Sequence, residues 1–193
     1  MAKASRQQAS EHHQGILDAA SHLFRKQGVA ATSVPEIMRA AGLTHGGFYG
    51  HFASKEALAA QATAHAFDWL DDLFTTITTR SAGNNAAARR DLLQTYLSAT
   101  HRDDPANGCV VAALANDIGR NPADTGTANA FVKGLEAAIA RMAGDTGIST
   151  DRAGALVDYA TVVGAITLAR ATAGTPLSEE ILSTVKTALL TKA

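Results

Sequence analysis

Apolar residues recur at the spacing of α-helices along most of the chain, and polar or glycine-containing breaks separate the periodic stretches. We predict a first helix closed by Gly28, a short second helix from about residue 34, a third from Thr44 and a long fourth to about residue 80. Five more helices are predicted near residues 86–101, 109–120, 127–143, 151–173 and 177–191. Because no stretch alternates clearly enough to predict a strand, the expected fold is all-α.

Residues 32–52 predict two short helices joined by a tight turn. Ser33 can accept a hydrogen bond from a first-turn amide, and Glu36 can reach back to the amide of Ser33. Gly42 stands where a left-handed residue would end this helix without a Cβ penalty. Thr44 can then cap the next helix. This arrangement is a helix-turn-helix, and it indicates DNA binding.

The third predicted helix has an inner and an outer face. Phe48 and Phe52 lie four residues apart and supply the inner face. The adjacent Gly46 and Gly47 each destabilise a helix by about 1 kcal/mol relative to alanine. One interpretation is that small residues let the backbone approach the base edges of a DNA major groove. The alternative is a loop-like turn with flexible glycines.

The run from Leu43 to Leu58, L-T-x-G-x-F-Y-x-H-F-x-S-K-E-x-L, resembles the signature of TetR-family transcriptional regulators. The resemblance covers about residues 10–60, and beyond them it concerns the helical architecture alone. It implies a homodimer, usually a repressor, in which each subunit binds half of a palindromic double-stranded DNA operator and a small-molecule effector causes release. The expected parts are a flexible N-terminal arm over 1–9, a DNA-binding domain over 10–56, and a ligand-binding and dimerisation domain over 57–193.

The resemblance also implies DNA contacts at particular positions. Base edges would face Thr44, His45, Gly46 and Gly47. Phosphates would be contacted by Tyr49, His51, Lys55, Thr32 and Ser33. Each contact has an alternative, since Lys55 could be a solvated lysine, Tyr49 could bury its ring, and His51 could be a packed ring beside Phe52.

Helices in the C-terminal part are expected to enclose a mostly apolar ligand pocket with a few polar groups. The candidate lining residues are Trp69, Phe74, Tyr96, Cys109, Leu114, Asn116, Phe131, Leu135 and Tyr159. The alternative for each of them is ordinary core packing.

The last two predicted helices carry apolar stripes suited to association of two subunits. The candidate interface residues are Leu156, Val163, Ile166, Ile181, Leu182, Val185 and Leu189. Periodicity alone does not separate such an interface from the subunit's own core, but a two-fold dimer would match a two-fold operator.

Composition places bounds on partners and location. The 193 residues carry a formal net charge of −1, so the chain is no polycation that binds nucleic acid indiscriminately. The first 60 residues nevertheless hold six Lys or Arg against four Asp or Glu, and the remainder hold eleven against fourteen, a small asymmetry with the sign expected of an N-terminal part that binds DNA. One cysteine, no apolar signal segment and no long apolar run together favour the cytoplasm and no membrane contact.

Other function classes are less well supported by the residues. Cys109 follows Gly108 at a predicted helix start, where amide dipoles can stabilise a thiolate, so a redox- or electrophile-sensing regulator is one alternative. The other interpretation of Cys109 is a small buried hydrophobe. An effector-independent regulator would have a body without a cavity. The seven histidines form no HExxH or Cys/His cluster, which argues against a metal, a cofactor or a histidine-dependent enzyme.

Overall fold

The computed structural model describes residues 2–121, 124–143, 149 and 151–191, with side chains from residue 6 onward. Helices without strands account for the regular structure of these residues, which confirms the all-α prediction. The α-helices, α1 to α10, are Ala2–Gln27, Val34–Ala40, Lys55–Ala66, Asp68–Ser81, Asn85–Tyr96, Ala99–Asp103, Val110–Arg120, Thr125–Ala143, Arg152–Ala171 and Pro176–Thr191. Two 3-10 helices span His45–Gly50 and Pro105–Asn107.

Helix α1 begins at Ala2, so the segment expected to be a flexible arm is helical over residues 2–9. The segment before Gly15 contains no glycine or proline and is rich in Ala and Gln, which are strong helix formers. Gln7 also donates a hydrogen bond from Nε2 to Glu11 Oε1 one turn later, at 3.0 Å.

Two predicted helices are each divided in the structure. The predicted helix to residue 80 bends at Phe67, whose ring packs against the backbone of Gly134 and lies 5.9 Å from the Phe131 ring. The helix predicted over 86–101 ends at Tyr96, and Ser98 starts α6 by accepting a hydrogen bond from the amide of His101 at 3.1 Å. The breaks between the helices predicted near 109–120, 127–143 and 151–173 are residues 121–126 and 144–150, and they lie partly outside the described residues.

The N-terminal elements α1, α2, His45–Gly50 and α3 form a compact head. Its core consists of the buried side chains Ile16, Ala20, Phe24, Ile37, Met38, Phe48, Phe52 and Leu58. Burial of each large side chain stabilises the head by about 1.5–3 kcal/mol. This packing holds in place a short segment that has little helical stability of its own.

Helices α4 to α10 form the body, and several contacts fix the head to it. Helix α3 packs on α8, and α1 packs on α7 and on Pro105–Asn107. The amide of Val29 donates to Asp117 Oδ2 at 3.1 Å, and Arg25 donates to the Gly108 carbonyl at 2.9 Å. A change in the position of α7 would therefore move the head.

Helix α9 is long and apolar enough to cross a membrane by length and composition, as core helices of soluble proteins also are. Its inner face carries the buried residues Ala155, Tyr159, Val162, Ile166 and Ala169. This face packs against α10, α8 and α7, as expected of a core helix.

Candidate nucleic-acid interface and body cavity

The turn between α2 and the 3-10 helix has the predicted geometry. Ser33 accepts a hydrogen bond from the amide of Glu36 at 3.3 Å, which confirms the N-cap. The Glu36 carboxylate instead accepts from Gln27 Nε2 at 3.0 Å, so the reciprocal half of the predicted capping box is replaced by a contact to α1. Gly42 has a φ of +72°, and the amide of Leu43 donates to the Met38 carbonyl at 2.8 Å. The chain therefore reverses sharply before Thr44.

The third predicted helix is a 3-10 helix, His45–Gly50. The amide of Gly47 donates to the Thr44 carbonyl at 3.1 Å, and the amide of His51 donates to the Phe48 carbonyl at 2.9 Å. The two glycines weaken an α-helix here, and a short 3-10 helix needs fewer residues in helical conformation.

Buried phenylalanines determine which side of this segment faces solvent. Phe48 and Phe52 are buried, with ring centroids 5.9 Å apart. Thr44, His45, Gly46 and Gly47 are exposed, and the Thr44 hydroxyl makes no capping hydrogen bond. Tyr49 is 71% exposed, so its ring is not part of the core. The segment therefore presents a hydroxyl, an imidazole, bare backbone and a phenol to solvent.

His51 lies at the edge of this exposed face and is half-buried. Its ring centroid lies 6.2 Å from both His12 and His13 of α1. His13 in turn stacks on Phe52, with the centroids 4.4 Å apart. The packed-ring alternative and a role at the surface are therefore compatible for His51.

The residues around Lys55 differ in accessibility. Lys55 is half-buried, and its Nζ lies 3.5 Å from the Ala30 carbonyl oxygen. Ser33 is exposed, whereas its chain neighbour Thr32 is buried and donates its hydroxyl hydrogen to the Gly28 carbonyl at 2.7 Å. The predicted phosphate contact from the Thr32 side chain is therefore wrong, because its donor is used inside the head.

A small cavity lies in the body, between α4, α5, α8 and α9. Its volume is about 10 Å³, which is about the space of one water molecule. The lining residues are Leu70, Phe74, Arg89, Leu92, Leu93, Tyr96, Met142, Asp158, Tyr159 and Val162.

The predicted pocket residues are only partly brought together. Phe74, Tyr96 and Tyr159 line the cavity, and Cys109 Sγ lies 3.5 Å from the Tyr159 hydroxyl. Trp69, Leu114, Phe131 and Leu135 belong to the surrounding core. Asn116 is exposed on α7, so its assignment to the pocket is wrong, because it lies on the solvent side of that helix.

Sequence reasoning missed the charged pair of this cavity. Arg89 donates to Asp158 Oδ2 at 2.8 Å, and Ser149 donates to the same oxygen at 3.1 Å. Both charged residues stand at inward helical positions among apolar neighbours, Arg89 next to Ala88 and Asp158 next to Tyr159. A charged residue at an inward position of an apolar helix face was the feature of the sequence that could have revealed this pair. Burial first, and then the neighbouring Cys109, raise the pKa of Tyr96 and of Tyr159.

His101 fixes the loop before α7. Its Nδ1 lies 2.7 Å from the Tyr96 carbonyl, and its Nε2 accepts from the amide of Cys109 at 3.0 Å. These contacts require a neutral ring with the proton on Nδ1. Burial, and then the nearby Arg170, lower the pKa of His101 to about 4 despite the hydrogen bond to Tyr96. Cys109 itself is fully buried.

The predicted interface residues divide into core and surface. Ile166, Leu182 and Leu189 are buried within the subunit, so their assignment to a dimer interface is wrong. Leu156 is exposed, and the half-buried residues are Val163, Ile181 and Val185. The outward face of α9 carries instead the exposed residues Ala153, Val157, Ala160, Gly164, Leu168 and Ala171. The neighbouring face of α10 carries Leu177, Ile181, Thr184 and Ala188.

Among the residues that the structure describes, no group of three or more His, Cys, Asp or Glu side chains is arranged to hold a metal ion. The fold and the exposed segment instead define the class of protein: a helix-turn-helix head carried by an all-α body.

One family model matches the head. Residues 16–62 match the family model described as bacterial regulatory proteins, tetR family. The head therefore matches the N-terminal domain of that family, and the chain has the fold of TetR-family structures, as the sequence resemblance predicted.

Curated relatives agree with this family. The HTH-type transcriptional regulator AcrR of Shigella flexneri is 35% identical over 100 residues, which are 52% of this chain and 46% of the relative. The HTH-type transcriptional repressor KstR2 of Rhodococcus jostii is 42% identical over 59 residues, which are 31% of this chain and 28% of the relative. The matched part of the chain thus spans less than half the length of either relative.

Solved structures extend the likeness to the whole fold. A TetR transcriptional regulator from Legionella pneumophila has a TM-score of 0.73 at 21% identity, covering 91% of this chain and 93% of that one. The reduced form of Escherichia coli NemR has a TM-score of 0.70 at 20% identity, covering 91% and 96%. At these identities the likeness is one of fold.

Proposed function

We propose that this chain is a cytoplasmic, ligand-responsive transcriptional repressor that binds a palindromic DNA operator as a homodimer. The observation that carries the proposal is the exposed face of His45–Gly50, held outward by the buried Phe48 and Phe52. Its exposed backbone and polar side chains have the size and chemistry that a DNA major groove admits. The regulatory names of the relatives support a binding protein in preference to an enzyme.

We assign the contacts by what each exposed group can offer. Thr44 and His45 read base edges, and Gly46 and Gly47 allow the backbone close to them. Tyr49, His51, Lys55 and Ser33 contact phosphates, because hydroxyl, imidazole and ammonium groups are suitable donors. With two glycines in the segment, DNA shape contributes to specificity.

The body cavity is the proposed effector site. In the described form it is nearly closed, so an effector must expand it and thereby shift the helices around it. The exposed surface of the cavity is apolar, which favours an apolar effector. An effector that binds the expanded form more tightly by about 1–3 kcal/mol changes operator affinity by about 5- to 150-fold.

The small volume of the same cavity also favours a second candidate, a regulator that needs no effector. A thiol sensor is less well supported, because the buried Cys109 packs against Tyr159. We expect Cys109→Ser to leave any release by an oxidant or quinone unchanged.

The deciding experiment selects bound duplexes from a random DNA pool and then screens small molecules for release of the selected duplex. We expect a palindromic site and at least one apolar releasing molecule. Failure to retard any duplex at low ionic strength would remove the DNA-binding proposal. Retardation without any releasing molecule would favour the effector-independent candidate.

A further inference from the structure

A second, larger cavity lies in the cleft between head and body. Its volume is about 390 Å³, within the usual range of small-molecule sites, which often lie between domains. The turn after α1 forms one wall with Val29 and Ala30, and the start of α3 forms another. The end of α7 and the start of α8 form the body side. No residue lines both this cleft and the body cavity.

The carboxylates of this cleft already have partners in the protein. Asp117 Oδ2 accepts from the amide of Val29 at 3.1 Å, and Asp124 Oδ1 accepts from the amide of Thr127 at 3.0 Å. Hydrogen bonds from its own amide and from the Ser54 hydroxyl lower the pKa of Glu56. Each of these carboxylates thus has a donor of the chain itself, and all three remain negatively charged near neutral pH.

The two cations of the cleft keep donors available. Lys55 Nζ makes one long contact of 3.5 Å to the Ala30 carbonyl, which uses one of its three donors. Arg120 is exposed, and its guanidinium has no hydrogen bond or ion pair within the described ranges. The positive ends of the dipoles of α3 and α8 lie at the same cleft. The donors of Lys55 and Arg120 favour a negative charge beside them, although the cleft as a whole holds three carboxylates against two cations.

Thr127 supplies an independent indication of a ligand. Its side chain is 3% exposed and lines the cleft, and its hydroxyl has no hydrogen-bond partner in the part of the chain that the structure describes. A buried hydroxyl without a partner destabilises the folded state by about 1–3 kcal/mol. Because the hydroxyl oxygen is itself buried, a bound molecule would reach it, and remove that penalty, only after this side chain shifts towards the cleft.

We propose that this cleft binds a small organic anion whose apolar part lies against Val29, Ala59 and Ile118. Its anionic group contacts Lys55 and Arg120, and a polar atom contacts the Thr127 hydroxyl. Because Lys55 is also assigned to a DNA phosphate, the anion and DNA compete for the same ammonium group. This last effect rests on the proposed function, whereas binding of the anion does not.

The probe is 8-anilinonaphthalene-1-sulfonate, titrated by fluorescence into the full chain without DNA. Its uncharged counterpart, N-phenyl-1-naphthylamine, tests whether the negative charge is needed. We expect saturable binding of the sulfonate, about tenfold weaker in Arg120→Ala, and little binding of the uncharged molecule. Arg80→Ala removes an exposed arginine of α4 outside the cleft and should leave binding unchanged.

Thr127→Val provides a second variant that keeps the side-chain shape. We expect severalfold weaker sulfonate binding, with no loss of thermal stability because the hydroxyl had no described partner. Equal binding of the two probes, or unchanged binding in Arg120→Ala, would overturn the proposal.

Competition with the selected duplex is measured separately by retardation. We expect the sulfonate to weaken duplex binding by wild type and to have a reduced effect on Arg120→Ala. Sulfonate binding without any duplex binding would refute the repressor function and leave the anion site standing. Duplex binding without sulfonate binding would refute the anion site and leave the repressor function standing.

Discussion

Thr32 and Thr44 show how the surroundings of a side chain decide its use. The Thr32 hydroxyl lies one turn from the Gly28 carbonyl at the end of α1 and donates to it, so it is unavailable to DNA. Thr44 precedes the 3-10 helix, and its hydroxyl makes no capping contact. The same residue type therefore stabilises the head at one position and is free for recognition at the other.

Lys55 and His45 should affect DNA binding in different ways. We expect Lys55→Ala to weaken binding to all duplexes and to reduce the salt slope of the affinity by about one, because a phosphate contact releases one counterion. His45→Ala should chiefly change which bases are preferred, since base edges carry the sequence information. The measurements are retardation at several salt concentrations and repeated duplex selection.

Lys133→Ala is the matched control for Lys55, because Lys133 is an exposed lysine on α8 in the body. Its salt slope should equal that of wild type. An unchanged slope in Lys55→Ala would refute the phosphate contact.

His101 should make the folded state sensitive to acid. Its pKa of about 4 lies below the ordinary value of 6.5, so between these values the unfolded chain binds the proton and the folded chain does not. The neutral His101 ring therefore makes its full contribution to the free energy of unfolding above pH 6.5. This contribution is lost as the pH falls towards 4, and the loss is about 3 kcal/mol at most.

Urea denaturation at several pH values tests this effect. The free energy of unfolding of wild type should fall more steeply from pH 6.5 to 4 than that of His101→Gln, which has no titrating ring. Parallel curves for the two proteins would show that His101 does not carry the acid sensitivity.

At the scale of elements, the shape of the head depends on a segment that has little helical stability of its own. His45–Gly50 has only six residues and two adjacent glycines near its start, and its position depends on Phe48 and Phe52. A Cβ atom at Gly46 would meet no atom within 4 Å, and one at Gly47 would meet only Met38 Cε at 3.7 Å. The free protein therefore has room for alanine at both positions, and any need for glycine must come from a partner.

Gly46→Ala should separate stability from DNA binding. We expect the free energy of unfolding to stay unchanged or rise by about 0.4–1 kcal/mol, because alanine restricts the unfolded chain. Operator affinity should fall about tenfold or more, since the added methyl group occupies the space of the base edges. Thermal denaturation and retardation provide the two measurements.

Gly50→Ala is the control for this variant, since Gly50 is exposed, has open space for a Cβ and is not assigned to DNA. It should leave affinity unchanged. Normal operator affinity in Gly46→Ala would contradict close approach of the backbone to DNA.

Local signals in the sequence predicted some elements and not others. Gly28 and Gly42 end helices with positive φ values, and residue type alone indicates such positions. The bend at Phe67 depends on the ring meeting Gly134, 67 positions later, where a Cβ would lie 2.2 Å from the ring. Periodicity does not report such distant packing, which is why a single helix was predicted there.

Because sequence signals are local, they also predicted only some of the site residues. The family signature predicted the exposed segment because its spacing is local, whereas the Arg89–Asp158 pair joins residues 69 positions apart. Likewise, periodicity identified apolar faces on α9 and α10 but not what covers them. Ile166 and Leu182 were therefore assigned to the surface although they are core.

At the scale of the whole molecule, contacts from both sides tie α1 to the body. His65 lies 2.7 Å from Asp18 of α1 and 2.6 Å from Asp68 of α4, measured between ring nitrogens and carboxylate oxygens. The Val29–Asp117 contact ties the other end of α1 to α7. We therefore expect expansion of the proposed effector site to reach the head through α4, which lines the body cavity and carries the Asp68 that contacts His65.

The outward face of α9 is where two subunits should meet, because Val157 and Leu168 are more than half exposed and Gly164 between them leaves open space. Gly164→Arg should therefore keep the subunit folded, since no described atom lies within 4 Å of the new Cβ, yet prevent close approach of two copies. We expect sedimentation to show a single-chain mass and operator affinity to fall sharply. Gly119→Arg, an equally open position on α7, should stay dimeric. A dimeric Gly164→Arg protein with normal operator binding would mean that the subunits associate through another face.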